Sequence, residues 1–173
     1  MAFDVGDTIV YPPHGAGRVE NKECKDVLGE EREYLTIRIL HSDMTLMVPA
    51  DGAEDAGLRR VVDEEGLERL VALLEGEQSE DSGPFSRRFR QNREKIRTGD
   101  VFELGEVVRN LTLRDREKPL STGERQMLSQ AKRILASEIA YARGTDEQEA
   151  SDWMDAVMAG TAAANPARAR PSG

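Results

Sequence analysis

The chain of 173 residues is acidic, with 33 Asp/Glu against 24 Lys/Arg and a net charge of −9, and 38% of its residues are hydrophobic. That is enough apolar material for one large or two small packed domains, but no run approaches the ~18 consecutive apolar residues of a membrane helix. The single Cys24 excludes an intramolecular disulfide, and the Met1-Ala2-Phe3-Asp4 start has neither the basic nor the apolar stretch of a signal peptide, so a soluble, cytoplasmic protein is expected.

The first sixty or so residues alternate in the manner of strands. Thr8-Ile9-Val10-Tyr11 is a short β-type run closed by the turn signal Pro12-Pro13-His14-Gly15. Gly15 to Cys24 resumes around Val19, and Asp26 to Glu31, containing Gly29, reads as a hairpin turn. Glu33 to Leu40 is rich in β-formers, and its Leu35-Thr36-Ile37-Arg38-Ile39 centre has the period of two expected of a half-buried strand. His41-Ser42-Asp43 turns the chain again before Met44 to Pro49. Four or five short strands with tight turns imply a small, bent antiparallel sheet or barrel, whose faces and edge strand are its natural working surfaces. Cys24 in such a strand reads as a small hydrophobe rather than a nucleophile.

From Asp63 the period becomes helical. Leu67, Leu70, Val71 and Leu74 form one stripe behind an acidic first turn, Asp63-Glu64-Glu65. An acidic linker, Glu75 to Gly83, follows. Pro84 to Arg97 reads as a helix with Phe85, Phe89 and Ile96 apolar and most of the remainder basic. Asp100 with Glu103 looks like the start of the next helix in capping-box form, carrying Leu104, Val107, Val108 and Leu111. Ser121 with Glu124 repeats the signal and opens a long helix striped by Met127, Leu128, Ala131, Ile134, Leu135, Ile139 and Ala142. Gly144 stops it, and Asp146 to Met158 forms a last helix around Trp153 before a low-complexity tail expected to be disordered. The fold class is α+β: a β module of residues 1–60, a helical module of residues 61–160, and a tail of residues 161–173.

Charge is segregated along this plan. Residues 84–143 hold 14 Lys/Arg and 8 Asp/Glu, a net +6, whereas residues 1–62 carry −5, 63–83 carry −7 and 144–173 carry −3. A basic segment within an acidic chain points to two surfaces with two partners, one of them polyanionic. Catalysis finds no support. His14 and His41 both fall in turns without ligand company, no glycine-rich phosphate loop joins a strand to a helix, and the acidic pairs sit at turns and helix starts. No cofactor is expected.

The sharper signal is Pro84-Phe85-Ser86-Arg87-Arg88-Phe89-Arg90. Arginines can engage phosphates while a neighbouring ring stacks on a base or wedges between base steps. Phe85 and Phe89 are also four apart, so both can instead pack into a helical core, and Arg125 with Lys132-Arg133 can be an ordinary solvated face. No base-reading pattern is visible, so any DNA contact is expected to be to backbone, groove shape or an opened junction.

Phe3-x-Val5-Gly6-Asp7-Thr8-Ile9-Val10-Tyr11-Pro12-x-His14-Gly15-x-Gly17 resembles the opening of the CarD/CdnL family of transcription regulators. The resemblance continues through Glu33-Tyr34-Leu35, Val48-Pro49, Gly57-Leu58-Arg59, Ser86-Arg87-Arg88, Gly99-Asp100, Val107-Val108-Arg109 and Leu120-Ser121-x-Gly123-Glu124, in order, over about residues 1–143. It implies a Tudor-like β domain that binds the β subunit of bacterial RNA polymerase. It also implies a helical domain that contacts promoter DNA at the upstream fork of the bubble and stabilises the open complex. The family's minor-groove wedge is usually Trp, and the matching residue here is Phe85, with Arg87, Arg88, Arg90, Arg125 and Lys132 as its basic company. In the polymerase-binding module the matching residues are Lys25, Met47, Val48 and Pro49, with Lys25 and Met47 standing where members often carry Arg. The implied protein is a monomer associated with the nucleoid through polymerase. The alternative is a docking module without a working wedge.

Overall fold

Five strands, β1 (Thr8–Tyr11), β2 (Gly15–Val27), β3 (Glu30–Ile39), β4 (Thr45–Pro49) and β5 (Arg59–Arg60), form one antiparallel sheet in the order β4-β3-β2-β1-β5. The computed structural model describes residues 3–12, 14–39, 42–77 and 84–160. His41, most of the acidic linker and the tail expected to be disordered lie outside the described residues.

The period of two in β3 buries Leu35, Ile37 and Ile39, which meet Phe3, Ile9, Val19, Val48, Ala53 and Leu58 in one small core. Gly17 makes the β2–β3 pairing possible, because a Cβ there would stand 2.6 Å from the carbonyl oxygen of Arg38. A bulge between Val19 and Asn21 shifts the register and bends the sheet. Beyond it, the pairs from Cys24↔Glu33 to Val27↔Glu30 have no third strand beside them, so the hairpin runs on as a two-stranded arm. The expected six-residue turn at its end is shorter than the sequence suggests. Pairing continues to Val27 and Glu30, leaving only Leu28 and Gly29, both at positive φ (55° and 80°), as in a type I′ turn. β5, two residues paired with Ile9 and Val10, has no signal in the sequence.

Five helices follow: α1 (Glu64–Glu75), α2 (Phe85–Thr98), α3 (Val101–Glu117), α4 (Thr122–Arg143) and α5 (Glu147–Ala159). Their starts are written locally. Asp63 accepts from the Gly66 amide, Asp146 from the Glu149 amide, and Ser121 with Glu124 closes a full capping box. Asp100 caps α3 by accepting from Phe102 and Glu103, but the expected return bond from Glu103 is absent, because that carboxylate accepts instead from the Thr98 hydroxyl. Gly99 and Gly144 end α2 and α4 in the left-handed conformation. The apolar stripes meet in a second core that includes Leu70, Leu104, Val108, Leu135, Ile139 and Trp153. The chain divides into two compact units, Met1–Val61 and Val62–Gly173.

Candidate functional site

Residues 85–93 of α2 carry Arg87, Arg88, Arg90 and Arg93 and no acid. Cations in a first helical turn oppose the positive end of the helix dipole, so their placement does not serve helix stability. Pro84 supplies no capping side chain, and the one buried residue of α2 is Ile96, near its other end.

The two aromatic residues take different roles. Phe85, the first residue of the helix, is 46% exposed. Phe89, one turn on, packs partly buried against the helical core, and its ring lies 5.7 Å from that of Phe85 at 31°. Arginines flank both rings: Arg88 stands 5.9 Å from the Phe85 centroid and Arg93 5.0 Å from that of Phe89. Arg87 and Arg90 are exposed. The patch fades toward the C-terminal end of α2. Lys95 pairs with Glu106 at 2.8 Å, and Arg97 donates to Glu94, holding that carboxyl below its ordinary pKa.

On α4 the candidates part company. Arg125 is exposed in a shallow groove lined by Thr122, Gln126, Ser129, Gln130 and Arg133. Lys132 is half-buried, its ammonium 2.5 Å from Asp155 of α5. Of the adjacent pair, Arg133 rather than Lys132 therefore presents a charge beside Arg125. Arg93 and Arg133 are cations that the resemblance did not single out; their signal in the sequence is a helical spacing that becomes legible only once the buried face is known.

In the β unit, Met47 lies on the edge strand β4, 46% exposed, on the sheet face opposite the core. Its row runs through Thr36 to Asn21, and Lys25, four residues further along β2, shares that face; the Lys25 Nζ reaches the Met47 Sδ at 3.5 Å. Glu23 pairs with the same ammonium at 3.5 Å. Pro49 is half-buried at the end of β4. Val48 does not belong to this surface, since alternation turns its side chain into the core. Among the described residues, no three His, Cys, Asp or Glu side chains converge to hold a metal, and no helix is long and apolar enough to cross a membrane.

Residues 3–62 match the family description "CarD-like/TRCF RID domain", and residues 69–155 match "CarD, C-terminal domain". The second match extends past residue 143 and takes in most of α5 with Trp153. The curated "Putative transcription factor YdeB" of Bacillus subtilis (strain 168) is 37% identical over 147 residues, spanning 85% of this chain and 96% of that one. The solution NMR structure of the 72-residue N-terminal domain of Myxococcus xanthus CarD shares 32% identity over 34% of this chain and 79% of its own. Its TM-score is 0.30. With two family descriptions matched in succession and a relative matched over nearly its whole length, the chain belongs to the CarD family of transcription factors, which regulate and do not catalyse.

Proposed function

We propose that the protein docks on the β subunit of bacterial RNA polymerase through its β unit and stabilises the promoter open complex through its helical unit. The observation that carries the DNA half is the exposed Phe85 ring at the head of an uncapped, arginine-rich helix. At the upstream fork of the bubble that ring inserts at an opened step, and Arg87, Arg88, Arg90 and Arg125 meet the flanking phosphates. Phe85 has the flat apolar face that a wedge needs and lacks the indole N–H of Trp, so its hold is by stacking alone.

The polymerase half is supported by the CarD-like/TRCF RID description of residues 3–62 and by the surface that Lys25 and Met47 share beside the free edge of β4, with Pro49 at the strand end. Met47 and Lys25 offer an apolar, adaptable contact with one charge, and the edge strand offers backbone pairing. Docking also explains how an acidic chain uses a modest basic patch: the tether raises the local concentration of the helical unit at the fork. A protein that prefers melted to closed promoter by ~1.4 kcal/mol raises the open fraction tenfold when few complexes are open.

The test is the lifetime of open complexes on a linear promoter fragment with purified polymerase. The wild-type protein lengthens it, and Phe85→Ala binds polymerase equally well without lengthening it. Equal lifetimes with wild type and Phe85→Ala would leave a docking module without a wedge.

A further inference from the structure

Gly123, in the Leu120-Ser121-x-Gly123-Glu124 run, takes no part in the contacts proposed above, yet it lies against the Phe89 ring. We propose that Gly123 is a positioning residue, the seat on which Phe89 sets the aim of Phe85; this rests on the reading of Phe85 as the DNA-touching ring. A Cβ on Gly123 would stand 3.0 Å from Cε2 and 3.4 Å from Cζ of the Phe89 ring. Gly123 sits in the first turn of α4 without a positive φ, so the backbone there does not require glycine. Helix propensity favours alanine at such a position, and what glycine supplies is room for the ring.

The rest of α2 makes this contact decisive. Its C-terminal end is held by buried Ile96, the Lys95–Glu106 pair and the Gly99 stop. Its N-terminal end has no side-chain cap and no acidic first turn, and Phe89 is the apolar side chain of that half which reaches the core. The seat itself is stiff. Leu120, three residues before it, is buried in the helical core, and the Ser121–Glu124 capping box fixes the first turn of α4 around Gly123. Phe85 stands one turn, ~6 Å, before Phe89 on the same face, so moving Phe89 off Gly123 moves the exposed ring with it.

The experiment compares wild type, Gly123→Ala, Phe85→Ala and the double variant, all full-length, in the open-complex lifetime assay, with Tm and polymerase binding measured alongside. Gly123→Ala is expected to keep its Tm and polymerase binding and to shorten the lifetime by roughly threefold to tenfold, the scale set by a sub-ångström misplacement. In the Phe85→Ala background it should shorten the lifetime no further. A wild-type lifetime for Gly123→Ala, or a loss that adds to that of Phe85→Ala, overturns the proposal. If Phe85→Ala itself leaves the lifetime unchanged, it is the wedge reading that fails. The seat is then judged by amide relaxation in the free protein. Order lost at residues 85–92 but kept at 94–98 in Gly123→Ala upholds it, and unchanged order along α2 removes it.

Discussion

Phe85→Ala and Phe89→Ala, one helical turn apart, should differ sharply in stability. Phe85 is 46% exposed, and its recorded partners are the Phe89 ring and the Arg88 guanidinium. An aromatic pair is worth about 0.5–1.5 kcal/mol, and the better helix propensity of alanine returns about half a kcal/mol, so Phe85→Ala should cost no more than about 1 kcal/mol. Phe89 packs against the core and on Gly123. A fully buried Phe→Ala costs about 3–5 kcal/mol, and a partly buried one roughly 2–3. At about 4–8 °C per kcal/mol for a unit of this size, thermal melts should fall by a few degrees for Phe85→Ala and by roughly ten or more for Phe89→Ala. Circular dichroism melts of the full-length variants measure this. Equal falls would mean that Phe85 is part of the core, and the wedge assignment would go with it.

Leu28 holds φ 55° while fully exposed at the hairpin turn, a conformation that costs a side chain with a Cβ about 1 kcal/mol; Leu28→Asn, which suits a type I′ turn, should raise the stability of the β unit by up to about that much in urea melts. Arg133→Ala should reduce the salt slope of DNA binding by about 0.9 if one phosphate contact is lost, read by anisotropy of a labelled forked duplex. Lys132→Ala should leave that slope unchanged because Asp155 already holds the ammonium; the reverse result would show that this pair opens on DNA. Glu138 is fully buried and accepts from the Val62 amide at 2.8 Å. Glu138→Ala leaves that N–H without its acceptor, so its denaturation midpoint should fall by an amount equivalent to about 1–3 kcal/mol.

Much of the architecture is legible one residue at a time. The alternation of Leu35, Ile37 and Ile39, the stripe of Leu67, Leu70, Val71 and Leu74, the capping box of Ser121 and Glu124 and the stops at Gly99 and Gly144 all stand as the local pattern predicts. These signals act within a few residues, where strand and helix periods and unsatisfied backbone groups dictate the answer. The misses are also local. A tight turn needs two residues at positive φ, and Leu28 conceals the first of them. Glu103 had a competitor for its carboxylate in Thr98.

Charge segregation and an aromatic–arginine helix were determined by the sequence alone, and with them the expectation of a polyanionic partner. The sequence could not say which of Phe85 and Phe89 is covered, because residues four apart share a helical face and present the same pattern. Only the arrival of α4, whose Gly123 lies against the Phe89 ring, separates the core ring from the exposed one. The same holds for Lys132, withdrawn by Asp155 from a helix twenty-three residues on, and for Val48, turned inward while Met47 faces out. Residue type and spacing decide what a side chain can do; packing between distant segments decides which chains keep the surface to do it.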